Sequence, residues 1–111
     1  PEPTDLYDAG TFARMKPGAV FINSGRGLQV VEDDLIAAID NGMISSAVLD
    51  VTRTEPLPGG HPLWDHPGVT IWPHVSAQTS EISAAPQVVE AIKAIRAGRE
   101  PENNVDISRG Y

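Results

Sequence analysis

The sequence predicts an α/β fold: half of a doubly wound parallel sheet. Three observations lead there. Short, mostly apolar runs of strand length recur at Ala19–Asn23, Ser46–Leu49 and Val69–Trp72. Segments of helical spacing lie between the first two runs and after the third, in the order strand, helix, strand, loop, strand, helix. A residue able to do chemistry stands just after each run: Arg26, then Asp50 and Glu55, then His74. Residues just past the carboxyl ends of strands in an open parallel sheet share one crevice, and ligands bind there. The stretch Gly25–His74 is therefore expected to hold the functional site.

Each element has its own justification. Pro1–Thr4 reads as loop. Asp8 to Met15 is a short helix with Phe12 and Met15 on one face, stopped by Lys16-Pro17-Gly18. Ala19–Asn23 is rich in β-formers and suits a strand buried on both faces. Ser24-Gly25-Arg26-Gly27 is a tight turn whose glycines permit positive φ and close approach of backbone to a ligand. Val31–Asn41 is an amphipathic helix: Val31, Leu35, Ala38 and Ile39 recur at helical spacing, Glu32, Asp33 and Asp34 crowd the first turn where the helix dipole favours negative charge, and Gly42 stops it. Ser46–Leu49 is a second buried-type strand. Thr52–Gly68 is a long Pro- and Gly-rich loop, of the kind that in a compact domain is usually functional or disordered. Val69–Trp72 is a third strand, closed by Pro73. Ser80 is placed to cap a helix running to about Ala97, with Ile82, Val89, Ile92 and Ile95 as its apolar stripe, Pro86 removing one backbone donor and Gly98 ending it. Val105-Asp106-Ile107 reads as a last strand.

Composition narrows the function classes. With 111 residues the chain is long enough for one small domain with a modest core. Its net charge of -7 argues against a nucleic-acid partner, which calls for a basic patch. Without cysteine there is no disulfide and no cysteine metal site, in keeping with a cytoplasmic protein. No apolar run reaches the length of a membrane span, and no membrane partner is expected. The chain opens on Pro1 and a loop-like Pro-Glu-Pro-Thr, and is expected to be a piece of a longer protein.

The marked residues each carry a functional and a plainer reading. The planar fork of Arg26 suits a carboxylate held through two parallel bonds; the plainer reading is a surface arginine in a turn. Asp50 suits acceptance from a ligand amide or hydroxyl, or else forms or caps a turn. Glu55 and His74 make sense as a pair, since a carboxylate on one imidazole nitrogen fixes the tautomer and leaves the other nitrogen to move a proton. Separately, Glu55 reads as a solvated loop acid and His74 as a histidine satisfied by nearby backbone. His61 and His66 read as exposed loop residues, and the histidine spacings match no metal motif. Trp64 and Trp72 wall a pocket or pack the core, with core packing favoured for Trp72. An arginine for a carboxylate and a glutamate-tuned histidine suit interconversion of a 2-keto acid and a 2-hydroxy acid, with hydride drawn from a nicotinamide.

The motifs Phe-Ile-Asn-Ser-Gly-Arg-Gly, Glu-Asp-Asp-Leu-Ile-Ala-Ala-Ile, Val-Leu-Asp-Val-Thr-Arg-Thr-Glu-Pro-Leu-Pro, Pro-Leu-Trp and Pro-His-Val-Ser-Ala-Gln-Thr resemble, in order and spacing, the D-isomer-specific 2-hydroxyacid dehydrogenases. Val-Val-Glu-Asp-Asp-Leu, Pro-Leu-Trp-Asp-His-Pro and Val-Asp-Ile-Ser-Arg-Gly-Tyr are similar to the glyoxylate/hydroxypyruvate reductase A branch. The resemblance implies that Arg26, Glu55 and His74 are catalytic, with Arg26 on the substrate carboxylate, His74 as acid/base and Glu55 as its partner. It implies a cofactor, NADP or NAD, with the reductase A likeness leaning towards NADPH. Ser24, Gly25, Arg26, Asp50, His74 and Ser76 would line it, Asp50 bonding the nicotinamide carboxamide. It implies a Rossmann-like sheet: residues 1–78 as the C-terminal half of an NAD(P)-binding domain, and 79–111 as a crossover helix and tail packing towards a substrate domain. A small keto acid substrate and a homodimer of the full-length protein follow from the same likeness. Ser76 departs from the glycine or alanine common in the family, and Thr52 from a bulky apolar residue. A non-catalytic, dehydrogenase-like ligand-sensing or corepressor module is the alternative function; another nucleotide-binding enzyme of the same sheet class is opposed by the Asp50–Glu55 spacing.

No Gly-x-Gly-x-x-Gly opens a helix in this sequence. The 111-residue chain on its own is therefore expected to show no keto-acid-dependent oxidation of NADPH, followed at the nicotinamide absorbance; clear turnover would contradict this.

Overall fold

The computed structural model describes residues 3–102, 104–106 and 108. They fall into two compact units divided between Ala77 and Gln78. The first holds a three-stranded parallel sheet in the order β1-β2-β3. Its elements run α1 (Ala9–Phe12), β1 (Ala19–Asn23), a 3-10 turn (Gly27–Gln29), α2 (Glu32–Asp40), β2 (Ile44–Leu49), α3 (Pro62–Asp65) and β3 (Val69–Ile71). The second unit contains α4 (Glu81–Arg96). No helix among the described residues is long and apolar enough to cross a membrane.

Local chemistry accounts for these boundaries. Asp8 begins α1 by accepting from the Thr11 amide at 2.8 Å, and Asp34 of α2 accepts from the Ala9 amide at 2.8 Å, so two of the helix's open donors are met by carboxylates. The helix is one turn, shorter than the expected Asp8–Met15, and the chain turns at Lys16-Pro17-Gly18. In α2 the residues at helical spacing, Leu35 and Ala38, are buried, and Gly42 takes φ +77 past its end. β2 starts at Ile44, two residues before the expected run, because Ile44 and Ala47 fill the core on either side of two serines.

The core is one cluster. Phe12, Phe21, Val30, Leu35, Ala38, Ile44, Ala47, Leu49 and Leu63 are buried together. Tyr7 and Phe12 meet Phe21 edge to face, with ring centroids 5.1 and 5.4 Å apart. Four expectations change here. β1 is buried on one face only: Phe21 lies in the cluster and Asn23 is buried on the same face, while Val20 and Ile22 on the opposite face are exposed. The loop after Thr52 contains α3, started by Pro62 at its first position and by the His61 ring, which accepts from the Leu63 amide at 3.3 Å; Leu63 is buried beneath it. Ser80 precedes α4 but makes no side-chain cap bond, and of the expected stripe Ile82, Val89, Ile92 and Ile95 are all exposed. Val105 and Asp106 are not in a strand, and Ile107 lies outside the described residues.

The glycines of the turn after β1 act differently from expectation. Neither Gly25 nor Gly27 takes a positive φ. Gly27 is needed for close approach, but to the chain's own backbone: a Cβ there would overlap the carbonyl of Thr52. Gly59 has nothing within 4 Å of its Cβ position. Gly27→Ala should therefore cost about 2 kcal/mol or more, whereas Gly59→Ala should change stability by less than about 1 kcal/mol. Denaturant unfolding of the two variants side by side checks this, and equal costs would contradict the contact.

Candidate active site

Parallel pairing levels the strand ends. Asn23 sits opposite Leu49, and Leu49 opposite Ile71. The loops after β1, β2 and β3 thus leave the same edge of the sheet, and they carry Arg26, then Asp50 and Glu55, then His74.

Glu55 and His74 form the hydrogen-bonded pair expected. His74 Nδ1 lies 2.7 Å from Glu55 Oε2, while Glu55 Oε1 accepts from the Thr52 amide at 3.1 Å. The His74 hydrogen bond, then the Thr52 amide, hold the Glu55 carboxyl below its usual range against a smaller opposing effect of burial. An ionised carboxylate only accepts, so Nδ1 carries the proton and donates to Glu55. His74 is about half exposed, and its Nε2 has no hydrogen-bond partner among the described residues. The backbone at His74 has φ +54, a left-handed conformation uncommon for a residue with a Cβ.

Asp50 is buried and bonds the loop that carries His74. Its Oδ1 accepts from the Val75 amide at 2.9 Å; its Oδ2 accepts from the Ser76 amide at 3.0 Å and the Ser76 hydroxyl at 2.5 Å. The Ser76 hydroxyl is the main cause holding the Asp50 carboxyl below its usual range. Arg26 is exposed at the same sheet edge. Its Nη1 donates to the Gly25 carbonyl at 2.9 Å, and it lines neither cleft beside His74 or Asp50. Ser24 and Ser76 line a cleft of about 320 Å³ with Asp50, Ile22, Val48 and Trp72. His74 and Glu55 line a neighbouring cleft of about 240 Å³, which shares Asp50 and Trp72. The structure thus brings Glu55 onto His74 and Asp50 onto Ser76 as two neighbouring pairs, places Ser24 on the wall of the first cleft, and sets Arg26 outside both clefts.

Several residues have roles that sequence reasoning missed. Asn23 is buried and builds the turn: its Nδ2 donates to the Arg26 carbonyl at 3.1 Å and its Oδ1 accepts from the Gly25 amide at 3.0 Å. Glu32, read as one of three first-turn acids, is buried and accepts from the Arg53 amide at 2.8 Å. The Arg53 guanidinium in turn binds the Val30 carbonyl at 2.7 Å and Asp5 at 2.5 Å. His61 and His66 are not simply exposed. His61 faces Glu32 at 3.5 Å, and His66 meets Asp40 at 3.2 Å while accepting from the Gly68 amide at 3.0 Å. Trp72 does not pack the core; it is 55% exposed and lines both clefts. Among the described residues no group of three or more His, Cys, Asp or Glu is arranged to hold a metal.

Parallel strands and a polar carboxyl edge put the chain in the Rossmann-like class of α/β domains. It belongs to the D-isomer specific 2-hydroxyacid dehydrogenase family, whose NAD binding domain matches residues 1–76. The glyoxylate/hydroxypyruvate reductase A of Serratia proteamaculans (strain 568) is 45% identical over 111 residues, 100% of this chain and 36% of that protein. Among solved structures, a D-isomer specific 2-hydroxyacid dehydrogenase from Xanthobacter autotrophicus Py2, in complex with NADPH and MES, superposes with a TM-score of 0.92 at 46% identity, covering 100% of this chain and 46% of that one. An NADPH-dependent glyoxylate/hydroxypyruvate reductase from Sinorhizobium meliloti, in complex with NADP and sulfate, gives a TM-score of 0.88 at 35% identity, covering 100% of this chain and 37% of that one. The chain spans about a third of the length of the curated relatives it matches.

The lowered carboxyls have a consequence for stability. The ordinary values are 3.8 for Asp50 and 4.5 for Glu55, and both are depressed in the fold. Each therefore stabilises the folded chain above its ordinary value, and that contribution is lost as pH falls through the lower folded value. Stability should decline as pH falls below about 5, and less steeply in Glu55→Gln. Urea unfolding at each pH measures the slope, and equal slopes would contradict the pairing.

Proposed function

We propose that this chain supplies the proton-transfer part of an NAD(P)H-dependent reduction of a small 2-keto acid, glyoxylate or hydroxypyruvate, to the 2-hydroxy acid. The observation that carries the proposal is the Glu55–His74 pair at the carboxyl edge of the sheet, with Nδ1 engaged at 2.7 Å and the ring about half exposed beside a cleft. The family match and the reductase names of the relatives support it.

In this reading His74 Nε2 gives its proton to the carbonyl oxygen as that oxygen gains negative charge. Glu55 holds the ring in one tautomer and one orientation, which leaves Nε2 for the transfer. Arg26 takes the substrate carboxylate through its guanidinium fork, which requires it to turn from the Gly25 carbonyl. A bound nicotinamide supplies the hydride. The residues present suit that group. The cleft beside Asp50 is walled by Ile22, Val48 and Trp72 and edged by Ser24, Asp50 and Ser76, so it offers apolar walls to a flat ring and polar atoms to a carboxamide. Both NADP and NAD fit this reading, and the NADPH and NADP held by the two solved relatives favour NADPH. Residues 79–111 are assigned to the crossover and tail that reach a substrate domain, and the full-length enzyme to a cytoplasmic homodimer.

The test is reduction of glyoxylate and hydroxypyruvate, with NADPH and with NADH, by the full-length polypeptide that carries this chain. His74→Ala should lower kcat by about 10²–10⁴-fold, while Arg26→Lys should act mainly on KM for the keto acid because the two-point grip is lost. Absence of turnover with every small keto acid tried, or full activity in His74→Ala, would overturn the reading.

A further inference from the structure

His74 poses a physical question that its catalytic assignment does not answer. A left-handed backbone at a residue with a Cβ persists only where the surroundings over-determine it. The causes are close at hand. On the entering side the Trp72 amide donates to the Leu49 carbonyl at 2.8 Å, so the chain is still tied to β2. Pro73 follows, with its φ fixed by the ring. On the leaving side the Val75 and Ser76 amides both turn back onto the carboxylate of Asp50. Asp50 is itself held, buried, with its amide donating to the Asn23 carbonyl at 2.9 Å. Between a strand end and a fixed carboxylate, the chain must reverse within Pro73 and His74, and His74 adopts φ +54.

The third bond is the informative one. The Ser76 hydroxyl lies 2.5 Å from Asp50 Oδ2, alongside the Ser76 amide at 3.0 Å on the same oxygen. Among the described residues it is the one side-chain donor to this carboxylate, and it makes no bond to Glu55 or to the His74 ring. We propose that Asp50 and Ser76 are positioning residues for His74: three donors gathered on the Asp50 carboxylate hold the left-handed turn that aims the imidazole at Glu55. The inference rests on the reading of His74 as proton donor and deepens it. Asp50 thereby acquires a second duty beside any contact with a cofactor, and the Ser76 hydroxyl acquires one through Asp50.

Asparagine cannot replace Asp50 in this role. It offers one acceptor oxygen and one amino group, so one side of the three-donor set would face another donor. Ser76 is exposed, so alanine there removes only the hydroxyl bond and leaves the packing intact, and threonine keeps a hydroxyl.

The experiment uses the full-length polypeptide as wild type, Ser76→Ala, Ser76→Thr and Asp50→Asn. Two quantities are read: steady-state glyoxylate reduction, and the Nδ1 proton resonance of His74 in protein labelled with ¹⁵N-histidine. Ser76→Ala should lower kcat roughly fivefold, the equivalent of one hydrogen bond, with KM for glyoxylate nearly unchanged because Arg26 lies on another loop. Its His74 resonance should move upfield and exchange faster with solvent. Ser76→Thr should restore both, and Asp50→Asn should exceed Ser76→Ala in both. A His74 resonance and a kcat that are unchanged in Ser76→Ala, or a change in one without the other, would overturn the proposal. If the wild type reduces no keto acid, the functional reading fails separately, and the resonance alone then decides whether these bonds position His74.

Discussion

Asn23, Leu49 and Ile71 lie side by side across a parallel sheet, and the rest of the site depends on that row. Parallel strands with level ends send every following loop off the same edge. Asp50 is the first residue past its strand, Arg26 and His74 the third past theirs. Slipping one strand by a residue would reverse every inward side chain. Phe21 of β1, or Ala47 and Leu49 of β2, would then leave the core, so the packing that stabilises the sheet also fixes where the polar residues emerge.

On this edge the backbone is governed by carboxylates. Asp50 gathers the loop after β3, Glu55 takes the Thr52 amide as well as His74, and Glu32 takes the Arg53 amide. An acidic chain thus spends some of its charge in organising loops. Charge-assisted bonds from backbone amides are stronger than neutral ones, and they suit a region where the loops are too polar to be held by apolar burial.

Much of this was legible in the sequence. The strand Ala19–Asn23 was bounded by its composition, α2 by its periodicity and its glycine stop, and the Glu55–His74 pairing by the chemistry of the two groups. What escaped had no local signal. α3 hides among prolines and glycines, because Pro62 favours a first helical turn while its neighbours favour loop. Glu32 cannot be told from Asp33 and Asp34 by sequence; only the fold brings the Arg53 amide to it. Trp72 looked like core because large aromatics usually are, yet it stands one residue beyond β3, where the chain leaves the packed face. The two-sided burial expected of β1 failed for a similar reason: the buried cluster lies on one face of the sheet, and Val20 and Ile22 point away from it. Arg26 was identified by residue type and place in the chain, and its rotamer, folded onto Gly25, is a matter that neither reveals.

The backbone contact between Gly27 and Thr52 joins two segments separated by the whole of α2 and β2. Such a contact forms only after the crossover has closed and the two strands have paired, which is the slow, non-local part of building a parallel sheet. The Thr52 amide that steadies Glu55 therefore depends on that non-local pairing. The pairing that buries Phe21, Ala47 and Leu49 thus also brings the Glu55 loop against the turn after β1, so the partner of His74 is anchored to the core through the backbone as well as through its own side chain.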